Sequence, residues 1–135
     1  MRIRALIVWF GLLALAIVNG GLREIAIVPR TGDVVGHAIS SVTLSAAIVA
    51  LSWFTIAWIG PRSTRDAWMI GVLWLVLTLG FEFLAGHYLF GNPWNQLWAD
   101  YDVLHGRIWI LVLLATFVAP VLARAHSVSA RRLLE

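Results

Sequence analysis

Four long apolar stretches dominate the chain, with few charged residues inside them, most of these near their ends. Hydrocarbon offers backbone N–H and C=O groups no partner, so apolar runs of this length must satisfy themselves as helices. The first run spans about residues 3–28 and carries Asn19, Arg23 and Glu24 in its last third. Pro29 is expected to stop it, with Pro29 to Gly32 as a turn. The second spans about 34–59, where Gly60 and Pro61 form a stop signal. The third spans about 64–90 and opens with Ser63 and Asp66, whose hydroxyl and carboxylate suit the unpaired donors of a helix start. The fourth spans about 103–123, with Asp102 as its cap and Pro120 near its inner end. Between the last two runs, Pro93 suits a first helical position, and Trp94, Leu97, Trp98 and Tyr101 recur at helical spacing. That pattern predicts a short amphipathic helix over about 93–101, with its aromatic rings at headgroup level. The fold class expected is all-α: an integral membrane four-helix bundle with this interfacial helix between its third and fourth spans, residues 1–135 forming a single transmembrane domain. The chain holds no internal repeat and no low-complexity segment.

Composition agrees with that pattern and removes several function classes. Of 135 residues, 61% are hydrophobic and 13% charged, a balance far from that of a water-soluble domain. Without cysteine there is no disulfide, thiolate nucleophile or thiolate-held metal. The basic pI of about 10.6 comes from arginines scattered at the ends of the apolar runs, a distribution that marks membrane orientation rather than nucleic-acid binding. Arg2, Arg4, Arg62, Arg65, Arg124, Arg131 and Arg132 fall on one side; Arg23, Arg30 and Arg107 fall on the other. The richer side is expected to be cytoplasmic, which puts both termini there in a multi-pass protein of a bacterial inner (plasma) membrane. Arg2 and Arg4 before an apolar run, with Ala14-Leu15-Ala16 as a cleavage-like site, also fit a signal peptide. The run continues through Val18 without a polar break, so a retained first helix is the expectation.

Candidate chemistry gathers near the outer face. Measured at ~1.5 Å per residue from each helix's inner end, Asn19 and Glu82 both stand ~22 Å up, Arg107 ~25 Å and Arg23 ~28 Å. A carboxylate inside the hydrocarbon needs to face protein or water, and Arg107 and Arg23 are the candidate counter-charges for Glu82. Two readings stay open: a buried pair that fixes helix register, or a ligand, proton or ion site. His37 and His87 have similar heights on different helices, which permits a bis-histidine haem b, while interfacial or packed histidines are the plainer alternative. On an α-helical wheel Glu82 and His87 point roughly 140° apart. Asp100, Asp102 and His105 place carboxylates and an imidazole close together, as a divalent ion would require, though their spacing matches no metal signature. His37, Ser41, Ser45, Ser52 and Thr55 share an arc of the second helix, either as a polar track or as a small-residue packing surface. No Walker loop, GxSxG elbow, HExxH pair or dinucleotide fingerprint is present.

Asn19-Gly20-Gly21-Leu22-Arg23-Glu24, Pro29-Arg30, His37, Phe81-Glu82-Phe83, Gly86, Trp94, Asp100-Tyr101, Gly106-Arg107 and Trp109 resemble a family of small, uncharacterised bacterial inner-membrane proteins. The resemblance spans most of the chain and implies the four-helix bundle; it carries no activity.

These readings combine into a non-enzymatic membrane binding, transport or accessory protein, with Glu82, Arg107, Arg23 and Asn19 as an outer-facing polar site. The alternatives are a redox protein holding haem or quinone near the outer face, with His37 and His87 as axial ligands, and a membrane enzyme using Glu82, Asp100 or His105. The partners expected are membrane lipids and either further copies of the chain or a larger membrane complex, with no nucleic acid.

Overall fold

The computed structural model describes residues 1–89, 91, 93–95 and 109–135, with Trp109 as backbone alone. All regular elements among the described residues are helical. Four helices are long and apolar enough to cross a membrane: α1 (Arg2–Thr31), α2 (Asp33–Ile59), α3 (Thr64–Tyr88) and α4 (Trp109–Leu134). The chain is therefore a multi-pass membrane protein built as a helical bundle. Of the expected surface helix, Trp94 and Asn95 are helical; most of its remainder, like Asp102, lies outside the described residues.

Two helix ends follow their local signals. α2 stops at Gly60, whose φ of 74° is the left-handed conformation that glycine adopts without penalty, and its N–H closes on the Ile56 carbonyl at 3.0 Å. α3 opens as anticipated: Ser63 Oγ accepts the Asp66 N–H at 3.2 Å, and the Asp66 carboxylate accepts the Arg62 N–H at 3.0 Å.

Two others do not. α1 runs past Pro29 to Thr31 and ends at Gly32, with φ of 90°. Residues Arg23–Ile27 form a π-turn in which the Val28 N–H reaches back five residues to the Arg23 carbonyl. This wider turn sits just ahead of Pro29, where the ring and the missing N–H would disrupt a normal α ladder, so the proline is absorbed instead of ending the helix. α4 continues past Ala123 to Leu134, with Pro120 inside it. Loss of apolar character at Arg124 ends a membrane span, but nothing in Arg124 to Leu134 breaks a helix, and Pro120 is fully buried among neighbours that constrain it. A second π-turn, Phe81–Ala85, interrupts α3.

Both chain termini lie at one end of the bundle, here called basal. Arg4 Nη1 donates to the Trp58 carbonyl at 2.7 Å, and its guanidinium stands 5.5 Å from the Trp58 ring. Arg124 donates to Thr64 Oγ1 at 3.1 Å and to the Arg62 carbonyl at 3.2 Å. Inside the bundle, the fully buried Trp74 donates from Nε1 to the Ala5 carbonyl at 2.8 Å, and Trp9 Nε1 donates to Thr78 Oγ1 at 3.1 Å. These two bonds set the register of the parallel helices α1 and α3: residue 5 pairs with 74, and residue 9 with 78. Between α3 and α4 the backbones meet at Gly71, where a Cβ would fall 2.1 Å from the Phe117 carbonyl oxygen.

Candidate functional site

Glu82 sits in the Phe81–Ala85 π-turn and lines a cavity of about 190 Å³. All four helices wall it: Trp9, Leu12, Leu13, Ala16 and Ile17 from α1, Leu44 and Ile48 from α2, Thr78 and Phe81 from α3, and Val112 and Thr116 from α4. The carboxylate is thus placed against the bundle interior, is only partly exposed, and is engaged by neighbouring groups. Most of the other lining groups are hydrocarbon, and two hydroxyls join it. Thr78 stands one helical turn basal of Glu82 and accepts the Trp9 indole N–H at 3.1 Å; Thr116 donates to the Val112 carbonyl of its own helix at 2.8 Å. Each hydroxyl already makes one of these bonds, and Glu82 is the ionisable member of the lining.

The tryptophan-fixed register separates groups that the sequence puts in one layer. Pairing of residue 9 with 78 makes Glu82 level with about Leu13, six residues basal of Asn19, or roughly 9 Å. Counting each helix from its own inner end took Arg4 and Ala67 as coplanar, whereas the same register makes Arg4 level with about residue 73. Asn19 instead meets α2, where its Oδ1 accepts the Ser40 hydroxyl. Arg23 turns to its neighbour Glu24: Nε stands 3.2 Å from Glu24 Oε1, with the arginine side chain 21% exposed and the glutamate 62%. Its guanidinium also lies along the face left open by Gly20, whose absent Cβ would be 3.9 Å from a terminal nitrogen. Asn19–Ser40 and Arg23–Glu24 therefore form a polar rim above a deeper Glu82 cavity. Arg107, Asp100 and His105 lie outside the described residues.

The described histidines are tied to their own surroundings. His37 Nδ1 lies 2.9 Å from the Asp33 carbonyl and 3.3 Å from the Asp33 carboxylate, one turn back on α2. His87 stacks on Trp94, with ring centroids 4.0 Å apart at 15°, and meets Tyr88 edge-on. Glu82 sits within the π-turn and His87 just beyond it, so the 140° separation read from an α-helical wheel does not carry across. His126, at the basal end, contacts the Trp53 ring at 4.1 Å. Among the described residues, no group of three or more His, Asp or Glu side chains is placed to hold a metal ion.

In the hydroxyl stripe of α2, Ser41, Ser45 and Ser52 are buried and Thr55 is half-buried, and the bonds run to its own helix: Ser45 to the Ser41 carbonyl at 2.7 Å, Ser52 to Ile48 at 2.8 Å and Thr55 to Leu51 at 2.7 Å. Hydroxyls that bond back in this way present a small, polar-satisfied packing surface rather than a chain of relay groups. Ser40, which bridges to Asn19, falls outside the arc that defined the stripe, and the sequence pattern gave no sign of it. Thr116 was equally silent, being one polar residue in an apolar run. No family model, curated protein or solved structure matches this chain.

Proposed function

We propose that this is a non-enzymatic membrane protein that binds a small, mostly apolar molecule bearing a hydrogen-bond donor, held between the four helices with Glu82 at its polar group. The carrying observation is that Glu82 lines a cavity otherwise walled by hydrocarbon, the Trp9 ring and two hydroxyls that each already bond within the bundle. A carboxylate has about four lone-pair sites, so an existing partner leaves room for a ligand donor. An apolar cavity with one strongly polar contact is the pattern of sites that orient small molecules. The π-turn at Glu82 adds support, since such turns are frequent at functional sites. A quinol head group, an apolar ring carrying hydroxyl donors, belongs to this class.

In this reading the polar rim of Asn19, Ser40, Arg23 and Glu24 marks the outward mouth. The arginine-rich basal end faces the cytoplasm of a bacterial cell, by the excess of arginine there. The protein acts as a binding or accessory component, alone or within a larger membrane assembly.

The test is extraction. Wild type, Ala16→Phe and Glu82→Leu are purified in mild detergent, checked for retained helicity, and extracted into organic solvent for mass spectrometry. A molecule present at near one equivalent in wild type and depleted at least tenfold in both variants is the expected result. Equal recovery from all three, or no molecule recovered from wild type, overturns the proposal.

A further inference from the structure

A second site lies at the basal end, on a different face from the Glu82 cavity. A groove of about 360 Å³ runs beside the first turns of α1, against α3. Ala5 and Ile70 form its buried floor, and Met69, Val72 and Val76 form exposed apolar walls. The stretch from Met69 to Val76 is roughly 10 Å long, within the half-thickness of a ~30 Å hydrocarbon core.

Charge is placed at one end only. Arg2 lines the groove and is exposed. Arg65, also exposed, lies one helical turn basal of Met69 on the face that carries Met69, Val72 and Val76. We infer that this groove holds an acyl chain of an anionic phospholipid, with Arg2 and Arg65 receiving its phosphate head group. Any lipid chain fills an apolar groove open to the bilayer, and hydrocarbon contact gives little preference among lipids. Selection therefore comes from the two guanidiniums at the basal end, which favour an anionic head by about fivefold for each arginine. A second copy of the chain is the poorer occupant, because a two-fold contact through this face would bring the arginines of both copies to one level.

The experiment uses the full chain in mixed micelles containing equal amounts of phosphatidylglycerol and phosphatidylcholine with identical acyl chains, read by native mass spectrometry. Wild type is expected to retain phosphatidylglycerol at least fivefold over phosphatidylcholine. The doubly substituted Arg2→Gln, Arg65→Gln chain should lose that preference to within twofold, and Val72→Trp, which fills the groove, should lower retention of both lipids at least threefold. Equal retention of the two lipids by wild type overturns the inference without recourse to any variant. So does a preference that survives the double substitution, retention unaffected by Val72→Trp, or a dimer cross-linked through cysteines placed at Val76.

Discussion

Gly71→Ala should separate α3 from α4. A Cβ at this position would lie 2.1 Å from the Phe117 carbonyl oxygen and 3.1 Å from its carbon. Ordinary C···O approaches are about 3.3–3.6 Å, so the two helices must part by roughly 1.2 Å. The obstructing atom is backbone within a buried helix pair, and no side-chain rotation relieves it. Overpacking of this kind costs about 1–3 kcal/mol, and the upper half of that range applies where backbone must move. Gly21→Ala is the matched control: a Cβ there meets nothing within 4 Å, on an exposed stretch of the same kind of helix. It should be neutral or stabilising by up to ~1 kcal/mol, the ordinary helix preference of alanine over glycine. Both variants can be measured by reversible unfolding in mixed micelles, followed by helicity and tryptophan fluorescence. A loss of ~2 kcal/mol for Gly71→Ala shifts the unfolding constant about thirtyfold. The reasoning fails if Gly71→Ala and Gly21→Ala differ by less than ~0.5 kcal/mol.

Two further predictions concern the bonds that lock the helices. Trp74→Phe keeps most of the buried ring but removes the donor to Ala5, and should cost about 1 kcal/mol in the same assay. An unchanged midpoint would show that this bond does not hold the α1–α3 register. Ser40→Ala should cost about 0.6–1.7 kcal/mol, because it strips a helix-to-helix bond from Asn19, whereas Ser52→Ala, whose hydroxyl serves only its own helix, should be close to neutral. Equal effects at the two serines would remove the distinction drawn between bridging and self-satisfied hydroxyls.

The properties that a membrane imposes one segment at a time could be read along the chain. Each apolar run had to be a helix because its backbone could find partners nowhere else, and Gly60 and the Ser63–Asp66 start were readable because caps depend on a few adjacent residues. Pro29 and Arg124 misled for the same reason: a local rule took the proline as a stop and the charge as an end, while a π-turn absorbed the first and helix geometry ignored the second.

Of the candidate site, the sequence marked Glu82 as the residue that must face inward, on the cost of ionisation in hydrocarbon. What it faces depends on how the helices pack. Helix register is set where Trp9 meets Thr78, Trp74 meets Ala5 and Gly71 admits the Phe117 carbonyl, not by a shared membrane boundary. That packing sinks Glu82 beneath Asn19 and Arg23, turns Arg23 toward Glu24, and joins Ser40 to Asn19. Hydrocarbon is nearly indifferent to how far one apolar helix slides along another, so the offset is settled by specific side-chain contacts between helices that are far apart in sequence.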